Sequence, residues 1–273
     1  MKFKWILHLL LLLAISLPVP MLATEIIAHR GASYDAPENT LAAFRLGFEQ
    51  GADAIELDVH LSKDSQLIVL HDPDTKRTGG VETRVAEQVA AELQKINVGE
   101  FGTWKGRGFS EKIPLLQEVF PLVPKDKRLF IEIKSGLETV PPFVKVIRES
   151  KLSPRQLPII TFKVEVAREI KRLLPEHEVS FLHSWKKNEE SGEYPRIEEL
   201  ISRAREAKLD GLDLQYGFPI NKAFVDKVHA AGLKLYTWTV DDPEVGRAHQ
   251  AAGVDGITTN RPQWLRSQLA QKE

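Results

Sequence analysis

Residues 55–72, IELDVHLSKDSQLIVLHD, decide the fold, because titratable side chains occur here within an otherwise apolar strand pair. Runs rich in Ile, Leu and Val flank Asp64-Ser65, a pattern that predicts a β-hairpin with a two-residue loop. This loop places Asp58 directly across from His71. Side chains alternate between the faces of a strand, so the titratable residues are gathered on one face. They are Glu56, Asp58, His60 and His71.

Elsewhere in the chain, short apolar runs alternate with longer amphipathic runs, as in parallel strands joined by helices. The predicted barrel strands are 25–29, 54–59, 128–133, 157–162, 178–183, 210–214, 233–239 and 254–258. The predicted helices include 40–50, 163–174, 196–208 and 221–231. Eight strands with intervening helices in about 250 residues indicate an α/β fold, a (β/α)₈ TIM barrel. The alternative is an open doubly wound sheet, but no GxGxxG or GxxxxGK loop follows a predicted strand.

The second strand is predicted to continue into the hairpin, whose partner strand is 66–71. The segment 73–127 then contains no clear strand and is predicted to be a short insertion. A helix-like run covers 83–95 within it.

Composition excludes several classes of function. The chain has 273 residues, a net charge of −1 and no cysteine. Nucleic-acid binding is not expected, because the chain lacks the excess of basic residues that such proteins carry. Thiolate catalysis and cysteine-based zinc sites are excluded outright.

The N-terminus predicts export. Lys2 and Lys4 precede a Leu-rich run without charged residues, which is typical of a secretory signal. Residues 1–23 are therefore predicted to be a signal peptide and 24–273 a single domain, periplasmic or secreted. The alternative is an uncleaved membrane anchor over residues 5–23, which is barely long enough to span a bilayer and contains two prolines. Any membrane contact is expected only through this segment.

Chemistry-bearing residues follow or end several of the predicted strands. In TIM barrels the carboxyl ends of the strands surround a single active-site mouth. The candidate site residues there are His29, Arg30, Glu56, Asp58, His71, Glu132, Lys134 and Trp238.

These residue types point to phosphoryl chemistry. Glu56, Asp58 and Glu132 offer only oxygen ligands, which suit one hard divalent cation such as Ca²⁺ or Mg²⁺. Without a cation the three negative charges would repel one another. Arg30 and Lys134 are fixed positive groups for an anion, and Arg binds phosphate in a bidentate fork.

Six motifs resemble one known family. They are HRG…PENT (29–31, 37–40), GADAIELDV (51–59), LHD (70–72), EIK (132–134), YTWTVD (236–241) and GVDGITTNRP (253–262). In this order and spacing they resemble the glycerophosphodiester phosphodiesterases, which are TIM-barrel phosphodiesterases similar to phosphatidylinositol phospholipase C. The resemblance covers essentially the whole chain after residue 24. One departure is Asn260, which stands where an Asp is frequent.

The resemblance implies hydrolysis of a small-molecule glycerophosphodiester to sn-glycerol 3-phosphate and an alcohol, with one divalent cation. It implies that His29 and His71 are the general acid/base pair and that a cyclic phosphate forms after attack by the glycerol 2-hydroxyl. The metal ligands that it implies are Glu56, Asp58 and Glu132, and the phosphate contacts are Arg30 and Lys134. Trp238 either contacts the glycerol or packs within the barrel.

Two other functions remain open. A phospholipase D-like hydrolase of lysophospholipid or sphingomyelin would need an apolar surface near the mouth, for which residues 99–110 are the candidate. A non-catalytic phosphodiester-binding protein would not need two histidines, since binding requires no proton transfer.

Neighbouring polar residues are assigned supporting roles. Asn39 or Thr40 is expected to cap a helix, unless Glu38 is there to orient Arg30. The run Asp241-Asp242-Pro243 is expected to form another helix cap. His60 is predicted to lie at the rim of the site.

Overall fold

Eight parallel strands close into a barrel in the computed structural model, which describes residues 24–271. The strands are β1 Glu25–Ala28, β2 Ala54–Leu61, β3 Leu67–Val69, β4 Arg128–Ile133, β5 Ile159–Thr161, β6 Val179–His183, β7 Gly211–Gln215, β8 Lys234–Trp238 and β9 Gly256–Thr259. Strand β1 pairs with both β2 and β9 and thereby closes the ring. Strand β3 lies outside it, antiparallel to β2. The predicted (β/α)₈ barrel with a hairpin after the second strand is confirmed.

Helices connect the strands on the outside of the barrel. They are α1 Leu41–Glu49, α2 Lys76–Gly79, α3 Ala90–Leu93, α4 Leu116–Val119, α5 Val140–Glu149, α6 Val164–Leu173, α7 Ile197–Glu206, α8 Lys222–Ala230, α9 Pro243–Ala252 and α10 Pro262–Ala270. The four helices predicted from the sequence correspond to α1, α6, α7 and α8. Across residues 24–271, none of these helices combines the length and apolarity needed to cross a bilayer. The predicted signal peptide or anchor, residues 1–23, lies outside the described residues.

The predicted hairpin register is wrong by one residue. His60 pairs with Ile68 and Val59 with Val69, so the loop has three residues rather than two. Ser65 has a left-handed backbone with φ of 58°, as in hairpin loops that end in a bulge. In consequence His71 lies beyond the end of β3 and not across from Asp58.

The insertion packs on this hairpin as a second, small core. Its buried apolar residues include Ile68, Leu70, Val85, Leu93 and Ile113. The helix predicted over 83–95 is wrong in extent, because the chain forms a 3₁₀ turn at Val85–Glu87 and only then α3. The intervening backbone is extended instead, and the Gln88 carbonyl accepts a hydrogen bond from the hairpin residue Lys63.

The interior of the barrel is layered. Along β4, Arg128, Phe130 and Glu132 alternate with residues of the outer core and point inward. The middle layer is apolar and consists of Ile27, Ala54, Phe130, Ile160, Leu182 and Tyr236. Charged groups lie on both sides of this layer, at the amino-terminal floor and at the carboxyl-terminal mouth.

Candidate active site

The turn after β1 brings Arg30 to the mouth of the barrel. Arg30 and Gly31 have φ values of 55° and 80°, and a Cβ at Gly31 would lie 2.5 Å from the Ala43 backbone. Only glycine therefore fits at position 31. The turn directs the Arg30 backbone N–H to Glu56 Oε2, to which it donates at 2.9 Å.

Three buried carboxylates converge beside this turn. Glu56 and Asp58 share the inner face of β2, and Glu132 neighbours Asp58 on β4. One oxygen of each lies within 4.8 Å of the others. Burial and the repulsion from the neighbouring carboxylates raise the pKa of Glu56 well above its usual value and that of Glu132 to about 8. The structure thus brings together the three predicted metal ligands.

Two cationic side chains neutralise this cluster only in part. Lys134 Nζ lies 2.7 Å from Glu132 Oε1 and 3.3 Å from Asp58 Oδ1, and Arg30 Nε lies 3.4 Å from Asp58 Oδ2. Burial acts to raise the pKa of Asp58, but Arg30 and Lys134 outweigh it and hold that pKa well below its usual range. When all three carboxylates are ionised, as around a bound cation, they exceed the two cationic side chains by one negative charge. An all-oxygen donor set of this charge fits one hard divalent cation.

His29 is held in one tautomer. Its Nδ1 lies 2.7 Å from Asn260 Oδ1. The amide orientation of Asn260 is fixed because its Nδ2 donates to Asp241 Oδ2 at 2.5 Å, so Nδ1 of His29 must carry the hydrogen. Burial, with the nearby Arg30 charge, lowers the pKa of His29 to about 4. His29 is therefore a neutral imidazole whose Nε2 carries a lone pair.

His71 is anchored through the same nitrogen, but by a carboxylate. Its Nδ1 lies 2.6 Å from Asp72 Oδ1, and Arg77 pairs with Asp72 and with Glu38. Burial lowers the pKa of His71, and the Arg30 charge acts in the same direction. Within the described part of the chain, the Nε2 atoms of both histidines have no hydrogen-bond partner and remain free for a substrate.

A cavity of 140 Å³ joins these groups and has two unlike walls. All the predicted site residues line it except Asp58, which is 1% exposed and lies beneath the surface. The opposite wall comes from β5–β8 and consists mainly of Ile160, Phe162, Leu182, Asp213 and Trp238. The Trp238 ring packs edge-on against Phe162 at 5.6 Å between centroids, and its Nε1 donates to the Asp213 carbonyl.

Both predicted helix caps are confirmed, and the residue beside each cap makes a further contact. Thr40 caps α1, and Asn39 Nδ2 donates to Asp58 Oδ2 at 2.8 Å. Asp242 caps α9, while Asp241 binds Asn260. Neither contact is visible in a local pattern, because the partners are far apart along the chain.

Two other predictions about supporting residues agree with the structure. Glu38 does contact Arg30, at 2.9 Å from its Nη1. His60 lies beside the site, with its Nε2 3.0 Å from the His71 carbonyl.

Comparison with known proteins agrees with this geometry. Residues 29–264 match the model of the glycerophosphoryl diester phosphodiesterase family. A glycerophosphodiester phosphodiesterase of Caldanaerobacter subterraneus subsp. tengcongensis is 36% identical over 89% of this chain and 96% of its own. A phosphodiesterase of Oleispira antarctica, solved in complex with the product sn-glycerol-3-phosphate, has a TM-score of 0.78 at 27% identity and covers 91% of this chain and 98% of its own.

A further relative is named for a different activity. A lysophospholipase D of Rattus norvegicus is 40% identical over 103 residues, which are 36% of this chain and 33% of that protein. The family match covers most of the chain, including all eight candidate site residues. The chain therefore belongs to the glycerophosphoryl diester phosphodiesterase family and is an enzyme of the phosphoric diester hydrolase class.

Proposed function

We propose that this enzyme hydrolyses glycerophosphodiesters to sn-glycerol 3-phosphate and an alcohol, with one divalent cation held by Glu56, Asp58 and Glu132. One observation carries the proposal: three buried carboxylates, two cationic side chains and two imidazoles with free Nε2 atoms surround a single small cavity. The product complex of the Oleispira antarctica relative supports this choice of substrate.

The cation is Ca²⁺ or Mg²⁺, since every ligand is a carboxylate oxygen. When bound, it offsets phosphate charge and lowers the pKa of a hydroxyl that coordinates it. Arg30 and Lys134 hold the non-bridging phosphate oxygens by charge-assisted hydrogen bonds. Together these contacts fix the phosphorus atom between the two histidines.

Proton transfer falls to the two imidazoles. His29 is neutral at physiological pH, so its Nε2 accepts the proton of the glycerol 2-hydroxyl while that oxygen forms a bond to phosphorus. His71 acts in its protonated form, an imidazolium whose Nδ1 hydrogen faces Asp72, and gives its Nε2 proton to the leaving alcohol as the bond to phosphorus breaks. The product is a cyclic phosphate, which water opens with the two roles reversed. The attacking hydroxyl belongs to the same molecule, which makes the first step favourable.

The direct test is release of sn-glycerol 3-phosphate from glycerophosphocholine. Protein stripped with EDTA should be inactive, and Ca²⁺ or Mg²⁺ should restore turnover. His71→Ala should abolish turnover while inorganic phosphate still binds. The matched control is His183→Ala, since His183 borders a separate, larger cavity. Substantial turnover by His71→Ala, or in excess EDTA, would refute the mechanism.

A second candidate is lysophospholipase D activity, which one surface feature favours. Phe101 is 40% exposed and lines a cavity of 250 Å³ together with Trp104, Glu38 and Arg77. Glu38 also contacts Arg30 of the active site, and Arg77 also pairs with Asp72, the partner of His71. Faster turnover of micellar lysophosphatidylcholine than of soluble glycerophosphocholine would favour this candidate.

The site is proposed to act outside the cytoplasm, on a small-molecule substrate and without nucleic acid. The support for export is the sequence of residues 1–23, as a signal peptide or an anchor, followed by one domain over 24–273. Fractionation with N-terminal sequencing of the exported protein distinguishes the two. Recovery of the full-length chain in the cytoplasm would contradict both.

A further inference from the structure

The Asp213 carboxyl is buried in the active-site cavity without a partner. It lies on β7, is 2% exposed and borders the cavity. No residue within 24–271 donates a hydrogen bond to it, and its Oδ1 is fully buried. Buried side-chain oxygens almost always have a hydrogen-bond partner. A bound ligand is therefore the candidate for the missing hydrogen-bond donor.

Neither the fold nor the carboxylate cluster accounts for Asp213. The adjacent Leu212 and Leu214 pack in the outer core, which leaves Asp213 pointing inward. The neighbouring Trp238 Nε1 donates to the Asp213 backbone carbonyl and not to its carboxyl. Asp213 is also not among the three carboxylates that lie close enough together to share a cation.

The position of Asp213 within the cavity indicates what it would contact. Arg30, Lys134 and the two histidines stand on the wall where the phosphate would bind. Asp213 stands on the opposite wall, among the apolar side chains of Ile160, Leu182 and Trp238. A short polyol attached to the phosphate would place its carbons against this wall and a hydroxyl at Asp213.

We propose that Asp213 accepts a hydrogen bond from the terminal hydroxyl of the glycerol moiety and thereby selects substrates in which this hydroxyl is free. The inference rests on the proposed function, in which the 2-hydroxyl is consumed by the attack on phosphorus and only the terminal hydroxyl remains for recognition. A lysophospholipid acylated at that position has no proton to donate there. Asp213 therefore favours glycerophosphodiesters over lysophospholipids.

The test compares two substrates that differ by one oxygen. Glycerophosphocholine has both hydroxyls, whereas the phosphocholine diester of 1,2-propanediol keeps the attacking hydroxyl and lacks the terminal one. Wild type should prefer the first by roughly 10- to 100-fold in kcat/KM, the range for one hydrogen bond to a charged or buried acceptor. Asp213→Ala should lose this preference, and Asp213→Asn, which keeps an acceptor oxygen, should restore part of it.

Asp210→Asn is the matched control. Asp210 lies just before the same strand but binds Lys171 and the Val179 backbone outside the cavity, so this variant should keep the preference. Titration with Ca²⁺ and Mg²⁺ should give the same affinity for Asp213→Ala as for wild type. An undiminished preference in Asp213→Ala, or a loss of cation binding, would overturn the inference.

A binding measurement separates this inference from the proposed function. Calorimetry with sn-glycerol 3-phosphate and with 1,2-propanediol 1-phosphate needs no turnover. If wild type hydrolyses neither diester but binds the glycerol phosphate more tightly, and Asp213→Ala does not, the proposed function fails and the role of Asp213 stands. Equal binding of both phosphates by wild type would contradict the role of Asp213.

Discussion

The two ends of the barrel interior contain the same kinds of charged residue but differ in charge balance. At the floor, Arg128 contacts Glu25 and Glu178 at 2.6 and 2.7 Å, and Lys234 and Tyr236 also bind Glu178. Burial acts to raise the pKa of Glu178, but these partners outweigh it and the pKa is lowered. At the mouth, by contrast, the pKa of a similarly placed glutamate is raised to about 8.

This difference separates a structural ion network from a functional site. Each acid of the floor network has a cation or a hydroxyl as partner, so removal of a partner should cost stability. The carboxylates at the mouth exceed their cations by one, which leaves them dependent on a ligand. Perturbed pKa values occur in both kinds of cluster. The pKa of Glu25 is raised at the floor and that of Asp58 is lowered at the mouth, so the balance of charges, rather than the direction of one shift, distinguishes the two clusters.

The largest expected effect is at the mouth, where Glu132→Gln removes a ligand oxygen and a charge. Turnover of glycerophosphocholine should fall roughly 10³-fold, because a catalytic cation supplies several kcal/mol and each 1.4 kcal/mol is a factor of ten. Steady-state kinetics at saturating Mg²⁺ or Ca²⁺ measures the loss. A fall of less than tenfold would contradict the assignment of Glu132 as a ligand.

Without a bound cation, the same variant should make the free energy of unfolding less dependent on pH. Between the unfolded pKa of 4.5 and the folded pKa of about 8, the folded state binds more protons than the unfolded state. The free energy of unfolding of wild type in EDTA should therefore fall as the pH rises through this window. Glu132→Gln should reduce this dependence in urea unfolding curves. An unchanged slope would show that the mouth is as well compensated as the floor.

At the floor, Arg128→Met should destabilise the protein without lowering its turnover. It leaves partly buried Glu178 and Glu25 without their shared cation, and breaking a buried ion pair typically costs about 3–5 kcal/mol. The Arg128 side chain does not border the active-site cavity, and distant sites are usually coupled only weakly. At a temperature where the variant is folded, its kcat should therefore stay within about twofold of wild type. Denaturant unfolding measures the loss of stability, and steady-state kinetics measures kcat. A large fall in kcat would contradict a purely structural role for the floor network.

A smaller loss of stability is expected from Tyr236→Phe. The Tyr236 hydroxyl donates to Glu178 Oε1 at 2.5 Å, and a hydrogen bond to a charged group contributes about 1.5–3 kcal/mol. The substitution keeps the ring that packs edge-on against Phe130. Thermal unfolding measures the loss, and an unchanged Tm would show that the hydroxyl contributes little to the floor.

The smallest expected effect is at the mouth again, with Asn39→Gly. Asn39 has a left-handed φ of 58°, which glycine adopts without strain, so the substitution removes only the side-chain contacts to Asp58. Loss of such a supporting contact lowers cation affinity or activity by about 10- to 100-fold. Cation titration followed by kinetics measures this change. Wild-type affinity would show that Arg30 and Lys134 suffice to orient Asp58.

The barrel and its main site were predictable because both rest on periodic patterns. Strand alternation placed Glu56 and Asp58 on one face, and the (β/α)₈ arrangement placed Glu132 beside them. The hairpin register was not predictable, since it depends on the left-handed backbone of Ser65. The contact between Asn260 and His29 joins residues 231 positions apart, and Asp213 resembles any polar residue on an apolar strand. Such long-range contacts leave no signal in a local pattern.

The two unlike walls of the active-site cavity have a consequence for how the enzyme can diverge. His29, His71, the carboxylates and the two cations proposed to bind phosphate come from residues 29–134, whereas the facing wall comes from β5–β8. On the proposed roles, bond breaking and substrate choice are thus encoded in separate halves of the gene. Recombination or drift in the second half can change which alcohol or polyol is accepted while the first half keeps its chemistry. Libraries confined to β5–β8 are therefore the economical route to new substrates on this scaffold.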